Sequence, residues 1–332
     1  MVKKDKYSVV SLFSGCGGLD RGFEGGFNYL GNKHEELPFK IVFANDIMPQ
    51  ACETLRLNFN TPLVLCEDIK EVLDKKSNTI PSADVVTGGF PCQDFSTAGK
   101  RRGFNSERGK LYQQMKKVVE LVKPKIFVAE NVKGLTNLGS ALSRITTDFA
   151  NSKPRYEVDY QILMAANYGV PQSRERVIII GVREDIAAKM KVKDKKFKFP
   201  FPEHTHSAIN GALPAWVTAK QAIGDLEGSD TDRQDEISRA KNYGEHLQGN
   251  KKIEANKIAP TIRAEHHGNI EFHYNGRRRL SVRECARIQS FPDNFKFFGS
   301  ASKAYVQIGN AVPPLLGWHV AKAVQKVLDN YG

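Results

Sequence analysis

Apolar and polar positions along the first half of the chain fall into two alternating textures. Short runs rich in β-branched and aromatic residues occur at Tyr7–Phe13, Lys40–Ala44, Asp84–Thr87, Lys125–Ala129, Val158–Met164 and Arg176–Val182. Each has the length and composition of a buried strand. Stretches with helical spacing lie between several of them. In Leu111–Val122, for example, Leu111, Met115, Val118, Val119 and Val122 share one face. Strands separated by helices predict an α/β chain with a doubly wound, mostly parallel sheet covered on both faces. Ligands of such sheets bind in the loops at the carboxyl ends of the strands. After Val182 the pattern breaks. A lysine-rich stretch, Lys189–Lys198, leads into Phe199-Pro200-Phe201-Pro202, and from there to about Arg279 the chain is polar and irregular. This predicts a second, smaller, loop-rich domain. Regular patterning returns in Pro313–Leu328, an amphipathic helix opened by two prolines.

Composition narrows the class. The 332 residues carry 49 Lys plus Arg against 37 Asp plus Glu, a net charge of +12, with 40% hydrophobic residues. That mixture is globular, not disordered, collagenous or disulfide-stapled. The positive excess suits an acidic partner, either nucleic acid or an anionic membrane surface. It is not concentrated in the loop-rich region, where residues 181–279 hold 18 basic and 14 acidic side chains, a net of +4. The five cysteines, Cys16, Cys52, Cys66, Cys92 and Cys285, form no CxxC pair, so no metal site and no disulfide framework is expected. The start of the chain, MVKKDKYSVV, has no apolar stretch behind it that would make a signal peptide. No run is long enough to span a bilayer. A cytoplasmic protein without membrane contact is expected.

Candidate chemistry sits at the predicted strand ends. The first strand runs into Phe13-Ser14-Gly15-Cys16-Gly17-Gly18-Leu19-Asp20, a tight turn into a helix where backbone can approach a ligand and the helix N-terminus favours a negative group. A dinucleotide fingerprint wants glycine where Asp20 stands, which disfavours NAD. The second strand ends in Asn45-Asp46, placing an acid where ribose hydroxyls are held, and the third in Glu67-Asp68-Ile69. Asp68 suits an adenine amine, with Ile47 and Ile69 sandwiching the ring. Each acid taken alone is more often a helix N-cap, and together they point to an adenosyl site. The fourth strand ends in Gly88-Gly89-Phe90-Pro91-Cys92, followed by the basic loop Gly99–Lys110. Proline fixes the backbone before the thiol and nearby cations favour thiolate. The fifth strand ends in Glu130-Asn131-Val132, and Gln172-Ser173-Arg174-Glu175-Arg176 precede a further one. A thiolate, a carboxyl group and an arginine on one sheet edge can activate a heterocycle for conjugate addition, although Glu130 and Arg176 taken singly also suit a cap and an ion pair.

In order, these blocks resemble those of DNA (cytosine-5) methyltransferases of the bacterial restriction-modification type. The resemblance continues after the variable region in Arg278–Phe295 (RRLSVRECARIQSFPDNF) and Tyr305–Pro314 (YVQIGNAVPP), so it spans Val9 to Pro314 apart from the linkers and the variable region. It implies the S-adenosylmethionine-dependent methyltransferase fold, with residues 1–183 and 303–332 forming the catalytic domain and 184–302 a target recognition domain. It also implies S-adenosylmethionine as methyl donor, S-adenosylhomocysteine as product, and no metal. Phe13, Ser14, Gly15, Cys16, Gly17, Gly18 and Leu19 would line the donor site. Asp46 would hold the ribose, Asp68 with Ile69 the adenine, and Leu111, Asn310, Ala311 and Val312 would complete the site. Relatives usually carry an aromatic or bulky residue at the position of Ile47, which can pack on adenine but not stack.

Cys92 would add to carbon 6 of a flipped-out cytosine. Glu130 would face ring nitrogen 3 and the amine, Arg176, with Arg174 beside it, the ring oxygen, and the Phe90 carbonyl, next to Pro91, the amine. Lys100, Arg101, Arg102 and Arg108 would meet phosphates of double-stranded DNA. Relatives often place at the position of Ala98 a serine that enters the DNA. In the variable region Thr261-Ile262 matches a family pair, and Thr261, Arg263, Glu265, His266, His267 and Asn269 are candidate DNA contacts. The family further implies a monomer paired functionally, without a stable complex, with a restriction endonuclease. A tRNA methyltransferase of the same fold is the first alternative; those relatives carry Cys-Phe-Thr in the target domain, where this chain has no cysteine between Cys92 and Cys285. A non-catalytic DNA-binding protein is the second, opposed by the intact Cys92, Glu130 and Arg176.

Overall fold

The computed structural model describes residues 6–91, 111–191, 196–209, 211–226, 251–264, 271–275 and 278–332. In chain order the elements are β1 (Tyr7–Leu12), α1 (Gly18–Glu24), β2 (Gly25–Tyr29), β3 (Asn32–Glu36), β4 (Phe39–Asp46), α2 (Pro49–Asn58), β5 (Val64–Cys66), α3 (Ile69–Lys75), β6 (Val85–Gly88), α4 (Leu111–Val122), β7 (Ile126–Val132), α5 (Ala141–Ala150), β8 (Tyr156–Met164) and β9 (Glu175–Arg183). They continue with α6 (Glu184–Met190), α7 (Ala219–Ile223), β10 (Lys251–Lys252), β11 (Glu271–Phe272), α8 (Val282–Ile288), α9 (Ala301–Asn310) and α10 (Pro314–Tyr331).

Seven strands form one sheet in the order β5-β4-β1-β6-β7-β9-β8. Neighbours from β5 to β7 are parallel, whereas β9 is antiparallel to both β7 and β8. The order reverses between β1 and β6, which opens a crevice at their carboxyl ends where loops diverge to opposite faces. The central strands are apolar on both faces because both are covered: β6 is buried throughout, and β9 is buried from Arg176 to Val182. On one face α3, α4 and α5 contribute to a core with Val10, Phe43, Val86, Met115, Val118, Ile145 and Phe149. On the other, α1, α6 and α10 cover Val9, Ile41, Val85, Val128 and Ile180. This second core also takes in Phe197, Phe199, Ile223, Ile253, Ile262 and Ile288, so the described parts of the loop-rich region bury their apolar residues against the same face of the sheet. The alternating hairpin β2–β3, interrupted by glycines at its start, has no counterpart among the sequence-predicted strands.

Helix starts are fixed locally. The Asp68 side chain accepts from the Lys70 amide and caps α3. Ser281 and Glu284 form a reciprocal capping box on α8, and Pro314 opens α10 without the loss of a needed amide.

Candidate active site

The glycine turn after β1 lies at the crevice. Gly17 has φ +85°, and an added Cβ there would lie 2.4 Å from the Phe59 ring, so only glycine fits. At Gly18 a Cβ would lie 2.2 Å from the Val312 carbonyl oxygen and 3.1 Å from Ala311 Cβ. That contact brings the block Asn310-Ala311-Val312 against the turn, some 290 residues earlier in the chain. Phe13, Ser14 and Gly15 are half-buried and border the crevice, and Asn310 is exposed. Cys16 and Leu19 differ from the expectation. Their side chains are buried in the core, with Cys16 Sγ directed at the Gln307 carbonyl at 3.6 Å, so they would reach a ligand through backbone alone.

Asp46 is built into this turn. Its Oδ2 accepts from the Gly15 amide and its Oδ1 from the Met48 amide, both at 2.8 Å. Burial raises its carboxyl pKa and these amides oppose the rise. Backbone amides occupy only part of the carboxylate's lone-pair directions, which leaves it able to accept from ribose hydroxyls. Ile47 is 69% exposed and free to pack on a base, whereas Ile69 is only 3% exposed and belongs to the core under α3. The symmetrical Ile47–Ile69 sandwich is therefore not formed. Asp68 lies beside it as the α3 cap, with its second oxygen uncommitted to that cap. Asn45 was not singled out from the sequence. Its Nδ2 donates to the carbonyls of Leu65 and Glu67 at 3.1 and 2.9 Å, fixing the chain that presents Asp68 relative to Asp46. Leu111 is half-buried at the start of α4. The chemistry of this donor set fits S-adenosylmethionine: a glycine turn, a carboxylate for the ribose, a second acid and an exposed apolar face.

Across the crevice β6 leads through Gly89 to Phe90 and Pro91. Cys92 lies outside the described residues, as do Lys100, Arg101, Arg102 and Arg108. The approach to Cys92 is tightly held. Phe90 is buried, and its carbonyl accepts from Asn131 Nδ2 at 2.9 Å, a partnership that no local pattern in Glu130-Asn131-Val132 signals. Because β9 runs antiparallel to β7, its first residues lie beside the last residues of β7, with Arg176 opposite Val132. Arg176 Nε thereby donates to Glu130 Oε1 at 2.8 Å, and its Nη1 to the Glu175 carbonyl at 2.8 Å. Both side chains of the pair are about nine-tenths buried. Burial pushes the Glu130 carboxyl up, against Arg176 and Arg174, and pushes the Arg176 guanidinium down, against Glu130. An added Cβ on Gly89 would lie 3.1 Å from Glu130 Oε2, so the second carboxyl oxygen reaches the turn that leads into Cys92.

Arg174 is placed differently from Arg176. It is fully buried, and donates to the carbonyls of Ile262, Gly309 and Ala311 at 3.0, 2.9 and 2.7 Å. Those bonds tie backbone together, and full burial keeps the guanidinium away from a substrate base. Among the target-region candidates, Thr261 donates its hydroxyl to the Ser173 carbonyl at 2.6 Å, and Arg263 is exposed. Glu265, His266, His267 and Asn269 lie outside the described residues. Among the described residues no group of three or more His, Cys, Asp or Glu is placed to hold a metal ion, and no helix is long and apolar enough to cross a membrane.

An acid at the end of the second sheet strand, a glycine turn and a carboxyl–arginine pair thus lie along one edge of a Rossmann-like sheet, the architecture of methyltransferases. Solved structures share this fold. A putative DNA modification methyltransferase from an E. coli prophage superposes with a TM-score of 0.66 at 23% identity, covering 98% of this chain and 100% of that one. The S. pombe Dnmt2 methyltransferase superposes with a TM-score of 0.63 at 20% identity, covering 97% and 98%. The sequence profile of the C-5 cytosine-specific DNA methylases matches residues 7–326. The Type II methyltransferase M.NgoFVII of Neisseria gonorrhoeae is 37% identical over 98% of this chain and 89% of its own length. M.BsuRI of Bacillus subtilis is 35% identical over 99% and 81%. The chain belongs to the C-5 cytosine-specific DNA methylase family and is a DNA (cytosine-5) methyltransferase of the restriction-modification type. The family implies S-adenosylmethionine as the methyl donor and DNA as the substrate.

Proposed function

We propose that the enzyme methylates carbon 5 of a cytosine swung out of double-stranded DNA, through a covalent adduct with Cys92. The observation that carries this reading is the buried Glu130–Arg176 pair beside the Phe90–Pro91 turn that delivers Cys92. Carbon 5 is a weak nucleophile. Attack of the Cys92 thiolate on carbon 6 turns the ring into an enamine whose electron density rises at carbon 5. Glu130, its pKa raised by burial, faces ring nitrogen 3 and the exocyclic amine; in its protonated form it gives its proton to nitrogen 3 as the thiolate adds and takes it back when Cys92 leaves, so that no net negative charge remains on the ring. Arg176 contacts the ring oxygen, and the Phe90 carbonyl, held by Asn131, receives the amine. S-adenosylmethionine, bound by Asp46, Asp68 and the glycine turn, supplies the methyl group. Loss of the carbon 5 proton then lets Cys92 leave, which restores the aromatic ring.

Such chemistry cannot reach a base inside a duplex, so the nucleotide is flipped at a cost of a few kcal/mol. Lys100, Arg101, Arg102 and Arg108 are assigned to phosphates. Thr261, Arg263, Glu265, His266, His267 and Asn269, in a target recognition domain of residues 184–302, are assigned to DNA contacts. The remaining residues, 1–183 and 303–332, form the catalytic domain. The assigned role is protection of cytoplasmic host DNA from a cognate endonuclease, by a monomer. The test is transfer of label from S-adenosylmethionine to mixed-sequence DNA, followed by bisulfite sequencing. Modified cytosines in one short context are expected, together with loss of transfer in Cys92→Ala. Label in tRNA alone, or transfer undiminished in Cys92→Ala, overturns the reading.

A further inference from the structure

Three buried polar side chains outside the reacting centre connect both halves of the site. Gln172, Arg174 and Gln289 are each fully buried. Gln172 Oε1 accepts from the Ile262 amide at 3.0 Å, and its Nε2 donates to the Ile288 carbonyl at 3.3 Å and to Gln289 Oε1. Gln289 Nε2 donates to the carbonyls of Ile308 and Ala311 at 3.0 and 2.8 Å. Arg174 donates to the Ile262 carbonyl on one side and to those of Gly309 and Ala311 on the other. Both backbone groups of Ile262 and the carbonyl of Ala311 are thus held by one network.

Its two ends are functionally distinct. Ile262 lies between Thr261 and Arg263, in the segment assigned to DNA. Ala311 lies beside Val312, whose carbonyl meets the glycine turn at Gly18. The backbones of the two ends also touch, since a Cβ on Gly309 would lie 2.3 Å from the Ala264 amide nitrogen. Nothing compressible separates them. Each network member exchanges buried hydrogen bonds that water cannot replace, so a shift of 261–264 either carries 309–312 with it or strands buried polar groups.

We propose that Gln172, Arg174 and Gln289 are positioning residues that couple the DNA-contacting segment to the methyl-donor site, so that duplex DNA and the donor each tighten the binding of the other. This rests on the assignment of 261–263 to DNA and of the glycine turn to S-adenosylmethionine. Coupling is reciprocal and of a size that binding experiments resolve. The experiment measures S-adenosylhomocysteine affinity by calorimetry, with and without enzymatically amplified, unmodified mixed-sequence duplex DNA. For the intact protein the duplex is expected to tighten the product at least about fivefold.

In Gln289→Met, which keeps length but removes both polar atoms, the ratio is expected to fall to within about twofold of one. Gln172→Met cuts the same network from the other end and gives the same result if Gln289→Met does not fold. Tyr156→Phe controls for general destabilisation, because it deletes a buried bond to the Pro124 carbonyl of 2.8 Å outside the network; it is expected to keep the ratio. A full ratio in a folded Gln289→Met or Gln172→Met, a ratio of one in the intact protein, or equal loss in Tyr156→Phe overturns the proposal. Failure of the underlying assignment shows separately, as no duplex binding or no product binding by the intact protein.

Discussion

Replacing Glu130 by Gln, or Arg176 by Leu, unpairs one member of an ion pair whose Nε–Oε1 distance is 2.8 Å and whose side chains are 10% and 11% exposed. At an effective dielectric constant of about 20, unit charges at that separation attract by about 6 kcal/mol. Withdrawal of both groups from water costs several kcal/mol each, so the net value of the pair is small although the loss of one partner is not. Each single change should lower unfolding stability by about 3–5 kcal/mol, because it leaves one buried charge uncompensated. The double change removes both charges, and should cost clearly less than the two singles together. In a urea-denaturation cycle the deviation from additivity is then about 2–3 kcal/mol, within the range for directly contacting residues. Catalysis should not recover with stability. Glu130→Gln should lower the methyl-transfer rate by about 10²–10³, as loss of one preorganised polar contact does, and the double variant should stay at or below that rate. Additive stability losses, or a Glu130→Gln rate within tenfold of the intact enzyme, would refute the reasoning.

Three further outcomes follow from single residues. Asn131→Leu should leave the buried Phe90 carbonyl without its 2.9 Å donor, at a cost of about 1–3 kcal/mol, and should lower methyl transfer beyond what the fraction unfolded explains; a melt with a parallel rate assay decides. Burial among His34, His206 and Lys322 lowers the His319 pKa from 6.5 to about 4. Between those values the unfolded chain binds the additional proton, so stability contributed by neutral His319 is complete above about pH 6.5 and is lost as pH falls toward 4, by at most about 3 kcal/mol. The difference between intact and His319→Gln unfolding curves should grow over that window; a flat difference contradicts it.

Asp20 behaves oppositely: burial raises its carboxyl pKa from 3.8 to about 7, partly offset by the Ser11 hydroxyl. Its folded state favours the protonated form, so the penalty of ionising it develops as pH rises through that window and is complete above about pH 7. Asp20→Asn should therefore be more stable than the intact protein at pH 8, by up to about 4 kcal/mol, and equal to it near pH 4. Equal stability at pH 8 would contradict the burial argument.

Much of the site was readable because a parallel sheet gathers the carboxyl ends of its strands, whatever their separation along the chain. Strand runs followed by glycines, acids or Pro-Cys therefore place the glycine turn, Asp46, Asp68, Phe90-Pro91 and Glu130 along one edge of the sheet. Other features depended on directions that a pattern does not carry. The apolar run of β9 is buried on both faces, and such a run reads identically in either orientation. Only its antiparallel pairing with β7 shows why Arg176, at the start of a strand, meets Glu130 near the end of another. Arg174 and Arg176 look equivalent in QSRER, yet one is spent on three carbonyls and the other on a carboxylate. Ile47 and Ile69 follow acids in the same way, but the first is at the open end of a loop and the second begins a helix packed on the core.

The sequence by itself determined the alternating elements, the chemistry at each strand end and the order of the blocks, because local pattern and residue type suffice for those. Tertiary structure decided which identical-looking side chains face the crevice and that Gln172 and Gln289, 117 residues apart, hydrogen-bond to each other. It also decided that the described parts of the loop-rich region share a core with the sheet. Burial and hydrogen-bond partnership are properties of what packs from elsewhere in the chain, and no local window contains them.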